Sequence, residues 1–153
     1  MQGEKNKSEV VCVVGLWHLG LVSAACLCEL GLEVFACDRD TNLVEKLNRG
    51  EPPLYEPGLS ELIKKHMDSG RLSFESDLTK AIQGSHTILI TYDTPVDDED
   101  RVELSILDHT IQFICPHLLP EALVIVNSQV PVGTCERWLE MINQNRPNAG
   151  IDL

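Results

Sequence analysis

Gly15-Leu16-Trp17-His18-Leu19-Gly20 lies between two apolar stretches, Val10–Val14 before it and residues 19–30 running on from it. A dinucleotide turn has the pattern G-x-G-x-x-G between a strand and a helix. The first glycine turns the chain, the second lets backbone approach a pyrophosphate, and the third lets the helix pack close on the strand. Gly15 and Gly20 occupy the first and third positions, and Trp17 occupies the second. Asp38 follows near the ~20-residue spacing at which a carboxylate accepts hydrogen bonds from both ribose hydroxyls and repels a 2′-phosphate. The pattern therefore points to NAD rather than NADP, although neighbouring Arg39 is a cation able to receive such a phosphate. Residue by residue, a plain tight turn and a helix-capping or solvated Asp38 remain open.

Other chemistry is thinner. Six cysteines occur and none forms a C-x-x-C pair, so small buried thiols in a reducing compartment are expected rather than metal or disulfide use. The five histidines are scattered among different elements, which offers no metal constellation. Surface or half-buried placement is expected for His66, His86, His109 and His117, with His18 as a candidate site residue. The acidic run from Asp97 to Asp100 reads as a solvated loop, because no turn glycine accompanies it in a cation-loop spacing.

The elements that must position these residues alternate. Strands are expected at Val10–Val14, 32–37, 71–74, 87–91 and 122–126. Helices are expected at 19–30, from an Asp40 cap to Asn48, at 59–67 with Leu59, Leu62, Ile63 and Met67 facing inward, and at Leu78–Ile82. A further helix begins at Ser105 with a capping box to Asp108 and an inner face of Leu107, Ile111, Ile114 and Leu118. Trp138, Leu139 and Ile142 face inward on the last helix. Residues 51–58 form a stiff Pro-rich loop, and residues 92–103 and 128–134 form two more. Such alternation implies βαβ units, a parallel sheet and right-handed crossovers. The expected fold is α/β, a doubly wound sheet in strand order 3-2-1-4-5.

With 153 residues, 43% of them hydrophobic, the chain has the length and apolar content of one domain with a filled core. The net charge of −12 argues against a nucleic-acid or anionic-membrane binder, which needs clustered Lys and Arg. No apolar run reaches ~18 residues, and the polar stretch 1–9 lacks the regions of a signal peptide. A cytoplasmic location is expected.

Three longer stretches carry a specific resemblance. Residues 48–62, Asn-Arg-Gly-Glu-Pro-Pro-Leu-Tyr-Glu-Pro-Gly-Leu-Ser-Glu-Leu, resemble the N-x-G-x-x-P-[IL]-Y-E-P-G-L-x-E-L signature of the UDP-glucose/GDP-mannose dehydrogenase family. Thr94-Pro95-Val96-Asp97 with Leu104-Ser105 resembles that family's loop after the fourth strand, and residues 128–134 its S-T-V-P-V-G-T loop after the fifth. The resemblance implies a Rossmann-type NAD-binding domain over residues 10–153, cut before its sixth strand. It implies a nucleotide-sugar 6-dehydrogenase that uses two NAD per product acid, with UDP-glucose the default substrate. A helical dimerisation segment and a nucleotide-sugar domain would follow, giving a homodimer. The nucleophilic cysteine lies downstream in that family, so no catalytic and no metal residue is expected here, and the fragment alone would be inactive.

By resemblance, His18 and Leu19 amides and the helix start at Gly20 meet the pyrophosphate, Asp38 holds the ribose, and Thr94 with Pro95 lines the nicotinamide side. The full cofactor set is Gly15, Trp17, His18, Leu19, Gly20, Asp38, Arg39, Tyr92, Thr94, Pro95 and Gln129. The chain departs from the family pattern at Trp17, at Leu43 and Asn127 in place of Lys, at Asp93 in place of Gly and at Gln129 in place of Thr. Two consequences are open: a retuned site that holds NAD, or a non-catalytic scaffold or interaction module that has lost it. A 6-phosphogluconate-dehydrogenase-like enzyme tolerates a non-Gly second position but lacks the Y-E-P-G-L loop.

Overall fold

In the computed structural model, residues 9–99, 101–147 and 149–153 are described. Of the polar N-terminal stretch, all but Glu9 lies outside them, as does Asp100 of the acidic run. The elements are β1 (Val10–Val14), α1 (His18–Glu29), β2 (Glu33–Cys37), α2 (Thr41–Asn48), α3 (Leu59–Asp68), β3 (Leu72–Glu75), α4 (Leu78–Ile82), β4 (Thr87–Ile90), α5 (Ser105–Ile114), β5 (Leu123–Val126) and α6 (Thr134–Asn145), with a short 3-10 turn at Cys115–His117. They form one parallel sheet in the order β3-β2-β1-β4-β5, as expected.

The central strands β1 and β4 are apolar on both faces, and helices cover the sheet there on both sides. Val11, Val13, Val34 and Ala36 face α1, α2 and α3, where Leu21, Ala24, Leu47 and Ile63 fill one core. Cys12, Val14, Ile88 and Ile90 face the other side, packed under Leu107, Ile111, Ile114, Trp138 and Ile142. β1 sits between β2 and β4, so the turn that follows it lies where the strand order reverses. Ligands of open α/β sheets bind at that crevice, at the carboxyl ends of the strands.

Two helices begin as their sequences predict. Asp40 accepts from the Asn42 and Leu43 amides, and Asp77 from the Thr79 and Lys80 amides. Such caps contribute about 1 kcal/mol each. The start of α5 differs. Leu104, not Ser105, is the residue before the first turn, and no side chain caps it. Instead Glu103 accepts from the Ser105 amide at 2.7 Å, while Asp108 accepts from the Trp138 indole at 2.6 Å and from Arg137 at 2.9 Å. The Glu103 side chain reaches forward to the amide, and the α5–α6 contact claims the carboxylate that a capping box would use.

His66 also departs from expectation, being buried in α3 with Nε2 2.9 Å from Glu29 of α1. Leu62, Met67 and Leu139 are half-buried rather than fully inward. Asp97 does more than meet solvent: its carboxylate accepts from the Glu99 and Arg101 amides and from Arg101 Nε. Beyond β5, Asp152 makes a single parallel bridge to Leu123 at the edge of the sheet. No helix among the described residues is long and apolar enough to cross a membrane.

Candidate functional site

The turn after β1 is held by backbone and by two neighbours. Gly15 has φ of +98°, a left-handed conformation that favours glycine, and its N–H donates to Cys37 O. A Cβ there would lie 2.9 Å from Tyr92 Cδ1. Gly20 is needed for space alone: a Cβ would fall 1.8 Å from Gly15 O and 2.5 Å from Thr91 Oγ1. The buried Thr91 hydroxyl lies 2.7 Å from Gly15 O and 3.1 Å from Val14 O, locking turn to β4.

Asp38, at the end of β2, completes the turn. Its Oδ2 accepts from the Leu16 amide at 2.7 Å and its Oδ1 from the Asp40 amide at 2.9 Å. An ionised carboxylate has about four acceptor positions, so each oxygen keeps one for a further donor. Arg39 turns away from it, with its guanidinium 6.0 Å from the centre of the Phe113 ring. Together with Ser76, Leu78 and His109 these residues wall an open crevice of about 580 Å³ beside the end of β2.

Trp17 needs no glycine's freedom. Its φ of −76° is ordinary for an L residue, and its carbonyl accepts from the Leu21 amide as the first bond of α1. Half exposed, it walls a separate cleft with Leu43, Lys46, Pro52 and Pro53. Leu19 is exposed on the first turn of α1, and His18 Nε2 lies 2.6 Å from Glu56 of the Pro-rich loop.

The loops after β4 and β5 meet each other. Thr94 Oγ1 donates to Gln129 O at 2.7 Å, and Ser128 Oγ donates to Tyr92 O at 2.6 Å. Pro95, Asp93 and Gln129 are exposed at this end of the sheet. The Tyr92 hydroxyl is buried without a hydrogen-bond partner among the described residues. Burial pushes its phenol above the ordinary value, and the Asp38 charge adds to that. The predicted set is thus gathered at the carboxyl ends of four strands, with Arg39 aimed to one side. Glu56, Tyr92's packing on Gly15 and the Phe113 crevice were not legible as site features. Phe113, an exposed aromatic off the inner face of α5, was the one available signal.

Five of the six cysteine thiols are held above their ordinary value, chiefly by burial. Burial raises the Cys12 thiol well above its ordinary value, that of Cys28 to about 11 and that of Cys37 to about 12. Cys115 and Cys135 are raised too, chiefly by burial, and Cys26 is exposed. The described residues hold no group of three or more His, Cys, Asp or Glu placed to bind a metal.

The sequence profile described as "UDP-glucose/GDP-mannose dehydrogenase family, NAD binding domain" matches residues 9–153. The UDP-glucose 6-dehydrogenase of Pseudomonas aeruginosa is 36% identical over 132 residues, which are 86% of this chain and 29% of that one. UDP-glucose 6-dehydrogenase TuaD of Bacillus subtilis is 36% identical over 124 residues, 81% of this chain and 27% of that one. Among solved structures, a UDP-glucose dehydrogenase from Pyrobaculum islandicum superposes with a TM-score of 0.84 at 27% identity, over 99% of this chain and 36% of that one. A ternary complex of GDP-mannose dehydrogenase from Pseudomonas aeruginosa superposes with a TM-score of 0.81 at 28% identity, over 89% and 32%. The chain spans less than a third of the length of these curated relatives.

Proposed function

As the chain belongs to the UDP-glucose/GDP-mannose dehydrogenase family and carries its NAD-binding domain, we propose that residues 10–153 hold NAD for a nucleotide-sugar 6-dehydrogenase. UDP-glucose is the default substrate, since the curated relatives described above are UDP-glucose 6-dehydrogenases. NAD supplies a hydride acceptor, and the oxidation of an alcohol to an acid takes two of them. The nucleophilic cysteine, the nucleotide-sugar domain and the dimer contact belong to sequence outside these residues. This chain alone is inactive in that reading. A cytoplasmic setting is proposed from the six free thiols.

The observation that carries the reading is the Gly15–Gly20 turn tied to Asp38 through the Leu16 amide. Backbone N–H groups at the start of α1 are the donors that a diphosphate would use in this reading. Asp38 keeps acceptor positions for both ribose hydroxyls, and the Tyr92 hydroxyl beside it is a buried polar atom in need of a partner. The crevice between Leu78 and Phe113 is open to the adenine, with Arg39 along its edge. Thr94 and Pro95, tied through Thr94 to the Gln129 backbone, flank the nicotinamide. The protein's share of the chemistry is binding, orientation and exclusion of water around the nicotinamide.

Trp17 is read as a retained variant rather than an obstruction, because its backbone is unstrained and its side chain walls the neighbouring cleft. The test is calorimetric titration of the chain with NAD and NADP. Saturable NAD binding, weaker for NADP and lost in Asp38→Ala, is expected. Absence of NAD binding here and in a version extended by the downstream sequence would make the domain a scaffold.

A further inference from the structure

Anion binding at this turn faces an unfavourable charge balance. Asp38 and Asp40 follow β2, Asp93 follows β4, and Glu51 and Glu56 come from the Pro-rich loop. Of the nearby cations, Arg39 lies over Phe113, and Lys46 lines the separate cleft walled by Trp17. His18 is the exception. It opens α1, whose first turn has no acidic residue, and its Nε2 is 2.6 Å from Glu56 Oε1. Among the described residues, none is bonded to its Nδ1.

Glu56 is not free to wander. Pro57 restricts the backbone of Glu56, the residue before it, and the Glu56 carbonyl accepts from the Leu59 amide at the start of α3. The carboxylate lies 2.6 Å from Nε2, where it accepts a hydrogen bond from the ring N–H and orients the imidazole.

Resting on the NAD-binding reading above, we propose that His18, oriented by Glu56, presents an imidazolium to the diphosphate of the dinucleotide, so that binding takes up a proton. As an exposed pair, 52% and 40% accessible, His18 and Glu56 contribute little to stability. Their effect lies in placing a charge. With a carboxylate on one nitrogen and a diphosphate oxygen on the other, both ring N–H groups donate. Glu56 is the positioning residue in this arrangement.

The test is NAD titration by calorimetry from about pH 5.5 to 8.5, the range in which an imidazole changes charge. It uses the wild-type chain, His18→Ala, His18→Arg and Glu56→Gln, with circular dichroism to confirm folding of each. Wild-type affinity is expected to fall about tenfold as pH rises, the size of one charge-assisted hydrogen bond at a partly exposed position. The heat of binding depends on the buffer's ionisation enthalpy, which reports the proton taken up. His18→Ala binds weakly at every pH, His18→Arg binds tightly at every pH, and Glu56→Gln, which no longer holds the ring in place, binds more weakly than wild type at low pH. Saturable NAD binding whose pH profile is the same in His18→Ala as in wild type overturns the inference alone. No NAD binding at any pH, by this chain and by the extended version alike, overturns the reading of the site and the inference with it.

Discussion

Gly20→Ala sets two effects of opposite sign against each other. Within a helix, alanine is favoured over glycine by about 1 kcal/mol, so propensity alone predicts a more stable protein. The packing predicts the reverse. The new Cβ would stand 1.8 Å from Gly15 O, where real contacts begin near 3.0 Å, so α1 must recede by more than 1 Å. The same atom would lie 2.5 Å from Thr91 Oγ1, the hydroxyl that ties the turn to β4. Overpacking costs about 1–3 kcal/mol, and a buried hydroxyl that loses its partners costs about 1–3 kcal/mol more. After the propensity gain, the net loss is about 3 kcal/mol, against a total of about 5–15 kcal/mol for a domain. For a chain of this size that lowers Tm by about 10 °C. Urea unfolding followed by far-UV circular dichroism and by the buried Trp138 reads the change directly. Ser23→Ala, half-buried in the same helix, serves as the propensity control and is expected to be neutral or slightly stabilising. A Gly20→Ala protein as stable as wild type would refute the claim that helix and turn are in contact at this point.

Other outcomes follow from the same structure. Asp108→Ala leaves the buried Trp138 indole N–H without its 2.6 Å partner and is expected to cost about 2 kcal/mol in urea unfolding. Thiol labelling in native buffer is expected to modify Cys26 first and Cys135 slowly, with Cys12, Cys28, Cys37 and Cys115 protected until denaturant is added. The side-chain hydrogen bonds of Lys65 and His66 hold the Glu29 carboxyl below its ordinary 4.5. The unfolded chain then binds more protons, so this contribution is present above 4.5 and is lost as pH falls through the lowered value. Acid titration of Glu29→Gln is expected to show a shallower loss of stability over that window.

The fold was legible because each strand carries its own signal. Val10–Val14 is apolar without interruption, as a strand buried on both faces must be, and the βαβ handedness rule then leaves few sheet orders. Gly15 and Gly20 were legible because the roles of turning and close approach each exclude a side chain. Contacts between residues far apart in sequence were not. His66 reads as a surface histidine until α3 is laid on α1 and Glu29 comes within reach. Glu56 has no visible role until the Pro-rich loop is brought beside His18. The α5 capping box fails for a related reason: its spacing is local, but its carboxylate answers to a tryptophan in the next helix.

The position of β1 has a consequence for synthesis on the ribosome. β2 and α1 follow it closely, so one of its edges is filled early. The other edge waits for β4, and the bond from Thr91 to the Gly15 carbonyl spans 76 residues. Until that segment emerges, this apolar, buried strand carries an open row of backbone donors and acceptors. Non-local pairing of this kind is slow, and an unpaired apolar edge is prone to capture by other chains. The nascent chain is therefore most vulnerable to aggregation before β4 leaves the exit tunnel, and its second half acts as the closing piece for its first strand.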